Sequence, residues 1–389
     1  MRALLVIVAV LAMVPAAEAA PGLRLNEIQL IGTHNSYHRE LPAAEQAAHD
    51  AVYGGAPIYE NFLAYSHASL SNQLRLQGAR GLELDLFLDP AGGLYANPLL
   101  RQRLGAGPLT NPEWYEPGIK VLHTADLDYN TTCIRLVSCL QLVRGWSRAN
   151  SGHVPVLVLL ELKGTDPIAG AIGGVAVPPW DGAALDALDA EIRSVFGPDE
   201  LITPDDVRRG ALTLEQSVLR RGWPRLRRAR GRVAFLMDNN PGPISAAYTA
   251  GRPSLQGRVL FTNARPGSPD AAFVKRNEPV GANFEQIRQL VRTGYLVRTR
   301  SDEPLATVLS GDETRLQAAL ASGAQLVSTD FPEVGMSARY DRDYVVALPN
   351  GGPARCNPVI RPPGCRSRKL ERTRAARAFA RRVAAARAP

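Results

Sequence analysis

Eight short apolar stretches rich in β-branched residues recur along this chain, at 27–31, 81–87, 119–122, 154–160, 232–237, 258–261, 295–300 and 325–328. Apolar runs of this length, bounded by polar or turn residues, read as buried strands. Helical patterns closed by glycine lie between several of them: 70–76 before Gly78, 185–196 before Gly197, 284–291 before Gly294 and 314–320 before Gly323. A glycine just past a periodic run is the usual helix stop, because it accepts the left-handed conformation. Eight alternating strand and helix units predict an α/β fold, a closed (β/α)8 TIM barrel. The 389 residues suit a single barrel domain with long loop insertions, here at 40–65 and 90–117. The first insertion carries Tyr53, Tyr59, Phe62 and Tyr65, the second Trp114 and Tyr115. Such aromatics either meet a lipid interface at the pocket mouth or pack on the barrel rim.

Polar residues cluster where the strands end. The stretch Gly81-Leu-Glu-Leu-Asp-Leu-Phe87 places Glu83 and Asp85 two residues apart, on one face of a strand, with leucines on the other. Two carboxylates held together in apolar surroundings call for a cation. His34 and Asn35 follow the first predicted strand, His123 follows the third and Glu161 the fourth. Barrel active sites form at the C-terminal ends of strands. Asn35, Glu83, Asp85 and Glu161 offer oxygen to a hard divalent ion, which points to Ca2+, with Mg2+ the alternative. Zinc would want more nitrogen or sulfur. His34 and His123 are two of only six histidines, and beside such an ion each suits phosphoryl binding or proton transfer. Lys163 shares a face with Glu161 and either holds a phosphate or pairs with Glu161. Later strand ends carry Asp238-Asn-Asn240, Asn263, Arg298-Thr-Arg300 and Asp330, which complete a polar mouth.

The set Gly32-Thr-His34-Asn35-Ser36, Glu83-Leu-Asp85, His123 and Glu161 resembles the catalytic barrel of phosphatidylinositol-specific phospholipase C, a PLC-like phosphodiesterase fold. It is closest in pattern to the calcium-dependent, secreted, actinomycete-like branch. The resemblance covers about 25–345 and implies the following roles. His34 stabilises charge on the phosphoryl group, His123 protonates the departing diacylglycerol oxygen, and Asn35, Glu83, Asp85 and Glu161 bind calcium. A carboxylate takes the inositol hydroxyl proton, and a cyclic inositol phosphate forms first. The calcium-independent branch replaces the metal with an Arg, and none stands next to His34 or in the Glu83–Asp85 motif. Beyond the fourth strand nothing matches residue by residue, so Arg298 and Asp330 are inositol contacts by position alone. Basic residues to read extra ring phosphates are not identifiable, which favours plain phosphatidylinositol. Two alternatives stay open. A glycerophosphodiester phosphodiesterase shares the Glu-x-Asp pair but has His-Arg-Gly where this chain has His34-Asn35-Ser36. A barrel that binds inositol lipid or calcium without turnover would not need both histidines.

The ends of the chain carry separate information. Residues 1–19 combine one Arg, a short apolar run and the small-x-small site Ala17-Glu-Ala19, the form of a secretory signal. The run is short for a membrane anchor, which is the alternative. Four cysteines in an exported chain imply disulfides, and their spacing favours the neighbour pairs Cys133–Cys139 and Cys356–Cys365 over a zinc site. Residues 20–345 read as the catalytic barrel, 346–365 as a disulfide-closed extension and 366–389 as a basic Arg/Ala tail. The tail holds nine Lys/Arg against one Glu, which equals the net charge of +8. It reads as a solvated segment or one attracted to anionic surfaces. With the body near neutral, no nucleic-acid partner is expected. The expected partner is a phospholipid membrane, touched transiently by a secreted monomer.

Overall fold

The computed structural model describes residues 22–303, 305–349 and 351–371, with 378, 379, 381, 382, 384 and 385. The expected signal segment lies outside these residues. Eleven strands form one sheet: β1 (Ile28–Thr33), β2 (Gly81–Phe87), β3 (Lys120–Val121), β4 (Val156–Leu162), β5 (Leu201–Ile202), β6 (Val233–Met237), β7 (Leu260–Phe261), β8 (Phe273–Lys275), β9 (Leu296–Arg300), β10 (Leu326–Thr329) and β11 (Ala354–Cys356). Parallel pairing runs β8-β9-β10-β1-β2-β4-β6-β7. A parallel bridge from Asn263, just past β7, to Phe273 joins the two ends. The ring is thus an eight-stranded barrel of the α/β class. Helices such as Leu136–Ala149, Gly182–Val195, Ala282–Thr293 and Thr314–Ser322 cover it. Glycines end the last two as expected, with Gly294 at φ 116° and Gly323 at φ 79°.

Two glycines set the closest approach in the ring. Gly32 and Gly81 are paired across β1 and β2. A Cβ on Gly81 would sit 2.3 Å from the Leu326 side chain, and one on Gly32 would sit 2.9 Å from the Gly81 backbone. Leu326 of β10 fills the room these glycines leave, as a barrel interior must be filled by side chains. On the other face of the strands, toward the helices, Leu82, Leu84, Leu86, Val156, Val158, Leu160, Val233 and Phe235 are buried in one core.

The structure corrects four expectations. The stretch 119–122 is not a barrel strand: Lys120 and Val121 pair antiparallel with Phe87 and Leu86, as a return off the top of β2. Its burial comes from this position, with the Lys120 ammonium held by Asp89 at 2.9 Å. The strand missing from the reading is β8, whose three residues are too few to show a period. The insertion 40–65 is not a loop throughout, since it forms helices Ala43–Val52 and Ile58–Phe62. The tail is not simply solvated where it is described. Leu370, Glu371 and Phe379 are buried, and Phe379 covers Gly78.

Both disulfides are formed, Cys133–Cys139 and Cys356–Cys365. The second closes the extension whose strand β11 pairs with the start of β1. Beyond it, Glu371 reaches the N-terminal end of the barrel. Its carboxylate accepts from Arg80 Nε at 2.9 Å and from the Val154 amide at 3.0 Å, and a second bond joins it to Arg80 Nη2. The Arg80 guanidinium also stacks on Trp146 and donates to the Leu74 and Ala79 carbonyls. Burial opposes ionisation of Glu371, but Arg80 outweighs it and holds the carboxyl below its usual range.

Removing one member of a buried pair strands the other charge. Glu371→Gln should therefore lower stability by about 3–5 kcal/mol, read as a lower urea midpoint at unchanged slope. With the folded pKa depressed, the contribution is complete above the unfolded value of about 4.3 and fades as pH falls through the folded one. The gap between wild type and variant should close on acidification. An unchanged midpoint at neutral pH would mean that the C-terminal segment is not docked in solution.

Candidate active site

The C-terminal ends of the barrel strands converge on a cluster of ionisable groups. His34 follows β1, and its position is fixed by hydrogen bonds to both neighbouring strands. The His34 amide donates to the Thr329 carbonyl of β10 at 2.9 Å. Ser36 then ties this turn to β2, with its amide on the Glu83 carbonyl at 3.0 Å and its hydroxyl accepting from the Glu83 amide at 2.7 Å. Asn35 between them has φ 42°, a left-handed conformation uncommon outside glycine and typical of functional turns. Its amide nitrogen donates to Tyr65 Oη at 3.3 Å. The His34 ring is oriented by Asp330, with Nδ1 3.0 Å and 3.2 Å from the two carboxylate oxygens, and Nε2 lies 3.8 Å from Glu83. Burial and the charge of Arg300 push His34 down to about 4 despite Asp330, so the ring is neutral near pH 7. Asp330 itself stays ionised: burial works against it, but His34, His67 and Arg300 hold its carboxyl well below the usual range.

His123 is built from a different element. The Leu122 amide donates to the Asp85 carbonyl at 3.3 Å, which sets the following His123 beside β2. A tight turn follows, with the Thr124 amide on the Asp128 carbonyl at 3.0 Å and Asp126 at φ 73°. The turn returns the Asp128 carboxylate to His123 Nδ1 at 2.9 Å. The same carboxylate binds His38 Nε2 at 2.8 Å and accepts from Tyr59 Oη at 3.1 Å. Burial opposes its charge, yet the two histidines keep Asp128 far below the ordinary carboxylate range. Asp126 pins the turn to the second insertion and to the segment after β4 by accepting from the Leu99 and Val175 amides. The Cys133–Cys139 disulfide holds the chain just beyond it. Each histidine thus has an aspartate on Nδ1 and presents the opposite side of its ring.

Between the histidines stand four carboxylates. Ligand oxygens of Glu83, Glu161 and Asp238 lie within 4.8 Å of one another. Glu83 is pushed up to about 8, by burial first and then by Asp238, Asp85 and Glu161, against the pull of Arg298. Glu161 is raised for the same reasons. Neither carboxyl oxygen of the buried Asp85 has a hydrogen bond, and Oδ1 of Asp238 is also without one. Orphaned buried acceptors among crowded carboxylates are what a site for a hard cation requires. The oxygen donors therefore fit calcium. Basic side chains offset part of the charge. Lys163 Nζ lies 3.2 Å from Asp85 and 3.3 Å from Glu161, Lys275 is 2.5 Å from Asp238, and Arg298 is 2.5 Å from Glu83.

His34, Asn35, Glu83, Asp85, His123, Glu161, Lys163, Arg298 and Asp330 all lie at this end of the barrel, but several stand in other relations than expected. Asp330 is not free for an inositol ring, being fully buried and occupied by His34 and Arg300. Arg298 is likewise spent inside the protein, on Glu83, Ser328 and Asn277. Lys163 pairs with both Asp85 and Glu161 rather than standing alone. Arginines do approach the His34 region, from β9, although none neighbours it in sequence. Asp238 joins the carboxylate group although it was marked only as a polar strand end. Arg300 was likewise marked only as part of a polar strand end, and Asp128, His38 and Lys275 carried no role in the sequence reading. A carboxylate five residues past His123 was the one signal available for Asp128. Lys275 lies on the unread strand and had none.

A profile of the family described as phosphoinositide phospholipase C, Ca2+-dependent, matches residues 23–358. Among solved structures, a calcium-dependent phosphoinositol-specific phospholipase C from Pseudomonas sp. is similar over 86% of this chain and 96% of its own, at 17% identity and TM-score 0.50. A Ca2+-dependent phosphatidylinositol-specific phospholipase C from Streptomyces antibioticus aligns over 80% of this chain and 95% of its own, at 18% identity and TM-score 0.46. No curated protein sequence matches significantly. The profile spans nearly all of the described barrel, including every residue of the mouth. This chain belongs to the calcium-dependent phosphoinositide phospholipase C family.

Proposed function

We propose that this enzyme cleaves phosphatidylinositol to diacylglycerol and an inositol phosphate at a membrane surface. The observation that carries the reading is the pair of aspartate-held histidines, His34–Asp330 and His123–Asp128, facing a shared carboxylate cluster. Glu83, Asp85, Glu161 and Asp238, with Asn35, are the residues to hold calcium. Bound there, the ion would neutralise phosphate charge and acidify the inositol 2-hydroxyl.

The chain's own residues divide the proton work. With its Nδ1 proton directed at Asp330 and the ring neutral, His34 has a lone pair at Nε2. It accepts the 2-hydroxyl proton, in place of the phosphoryl-stabilising role implied by the resemblance, because a neutral ring so tethered has no second proton to donate. The 2-oxygen then bonds to phosphorus while the bond to the glycerol oxygen breaks. His123 gives that oxygen its proton, and Asp128 stabilises the charged ring beforehand. The product is a cyclic 1,2-phosphate, which water opens with the two roles exchanged. Arg300, close to His34 at the mouth, is placed to meet the phosphodiester charge, and Lys163 joins it once it leaves the carboxylates.

Phe62 and Tyr115, 45% and 48% exposed, stand on the insertions that follow β1 and β2, at the active-site end of the barrel. They suit shallow contact with a lipid headgroup layer by a monomer. Among the described residues no helix is long and apolar enough to cross a membrane. The segment 1–19 and two disulfides support an extracellular location.

Three outcomes test the reading. Phosphorus NMR of phosphatidylinositol turnover should show cyclic inositol phosphate with calcium and no product in excess chelator; undiminished chelator-resistant turnover would remove the metal assignment. Asp85→Asn should weaken Ca2+ binding in calorimetry roughly tenfold or more, since it takes a full charge from the oxygen set. Finally, His123→Ala should lose about 10²–10⁴-fold in kcat on the lipid but far less on an aryl ester that leaves without a proton. Asp128→Asn should reproduce that selectivity in weaker form, and equal losses on both substrates would count against the acid role.

A further inference from the structure

The net charge conceals a second basic region, far from the tail in sequence. From Gln216 to Met237 there is no acidic residue, yet Arg220, Arg221, Arg225, Arg227, Arg228, Arg230 and Arg232 fall within it. The fold gathers most of them, with Arg24 and Arg209, around a groove of about 1100 Å3 lined by eight arginines and two aspartates. Both aspartates are engaged already: Asp205 with Arg208 at 2.5 Å and the Gly257 amide, and Asp206 with the Thr203 amide and hydroxyl and, within the groove, with Arg232 at 3.8 Å. Arg209, Arg221, Arg225, Arg227 and Arg228 are exposed, and among the described residues none of these five side chains makes a hydrogen bond or an ion pair. A second cavity of about 610 Å3 continues the surface, where Arg225, Arg227 and Arg230 meet Arg366 and Lys369 of the docked tail with no acidic residue between them. Arg24 precedes β1 and Arg232 precedes β6, so this surface opens at the N-terminal end of the barrel. The catalytic mouth is at the other end.

Uncompensated arginines at this density repel one another unless an anion spans them. Arginine rather than lysine suits paired hydrogen bonds to phosphate oxygens. The shape is a concave track, not a flat or apolar plane. No aromatic ring is exposed along it, because Trp223 and Phe235, the two in this segment, are buried. Base stacking and lipid insertion are therefore not served. We infer that this arginine groove binds a linear polyanion bearing closely spaced phosphates, held away from the active site so that the mouth stays free for lipid.

The test uses the full chain, inorganic polyphosphate of several tens of units, and orthophosphate as a control. Wild type should bind polyphosphate with an affinity that falls steeply as salt rises, and should bind orthophosphate weakly. Arg225→Glu/Arg227→Glu/Arg228→Glu should weaken polyphosphate binding on the order of 100-fold at low salt and flatten the salt dependence. The corresponding triple Gln variant should give a smaller loss in the same direction. Both should keep the wild-type melting temperature and turnover of a soluble substrate, since these side chains are exposed and distant from the mouth. Equal affinity in wild type and the Glu variant overturns the inference. Anionic vesicles binding through the same arginines more tightly than polyphosphate would also overturn it, by making the partner a membrane.

Discussion

Crowded carboxylates at one barrel mouth set the terms for everything around them. Glu83, Asp85, Glu161 and Asp238 are carried by three adjacent strands and are mostly buried, which is costly for like charges without a cation. The ring answers with Lys163 just past β4, Lys275 of β8 and Arg298 of β9, aimed at different carboxylates. The remaining imbalance is visible in the raised Glu83 and Glu161 and in the unsatisfied oxygens of Asp85 and Asp238. Such an imbalance is what a bound calcium would relieve, and the position of His34 follows from the same ring of strands.

The two histidines are held by similar chemistry but different architecture. His34 rests on the barrel frame, through backbone bonds to β10 and Ser36 contacts to β2, and Asp330 comes from the neighbouring strand end. His123 rests on a turn outside the ring, stabilised by Asp126, Asp128 and a disulfide. Asp128 also joins His38 and Tyr59, so the first insertion and the His123 turn are fastened at one buried carboxylate.

The opposite end of the barrel is charged in another way. Arg80 and Glu371 form a closed, buried pair that anchors the C-terminal segment. At the same end of the barrel, arginines preceding β6 remain open to solvent. Total charge could not distinguish these cases, because it counts the tail and the groove alike.

Much of the mouth was legible because its signals are local. Glu83 and Asp85 share a strand face by period alone, His34-Asn35 is contiguous, and each follows an apolar run that had to be buried. Alternation of strands and helices likewise announced the barrel, and short cysteine spacing announced both disulfides. What only the tertiary structure decided involves residues distant in sequence. The stretch 119–122 has a strand's composition but pairs antiparallel, since nothing in Ile119-Lys-Val-Leu122 encodes direction. β8 is too short to carry a pattern and joins the ring because its neighbours leave a gap of one strand. Asp330 orients His34, Arg298 meets Glu83, and Arg80 meets Glu371 across 296, 215 and 291 residues. Sequence patterns report which face a side chain takes along its own element; which partner it finds across the barrel is set by the closing of the ring.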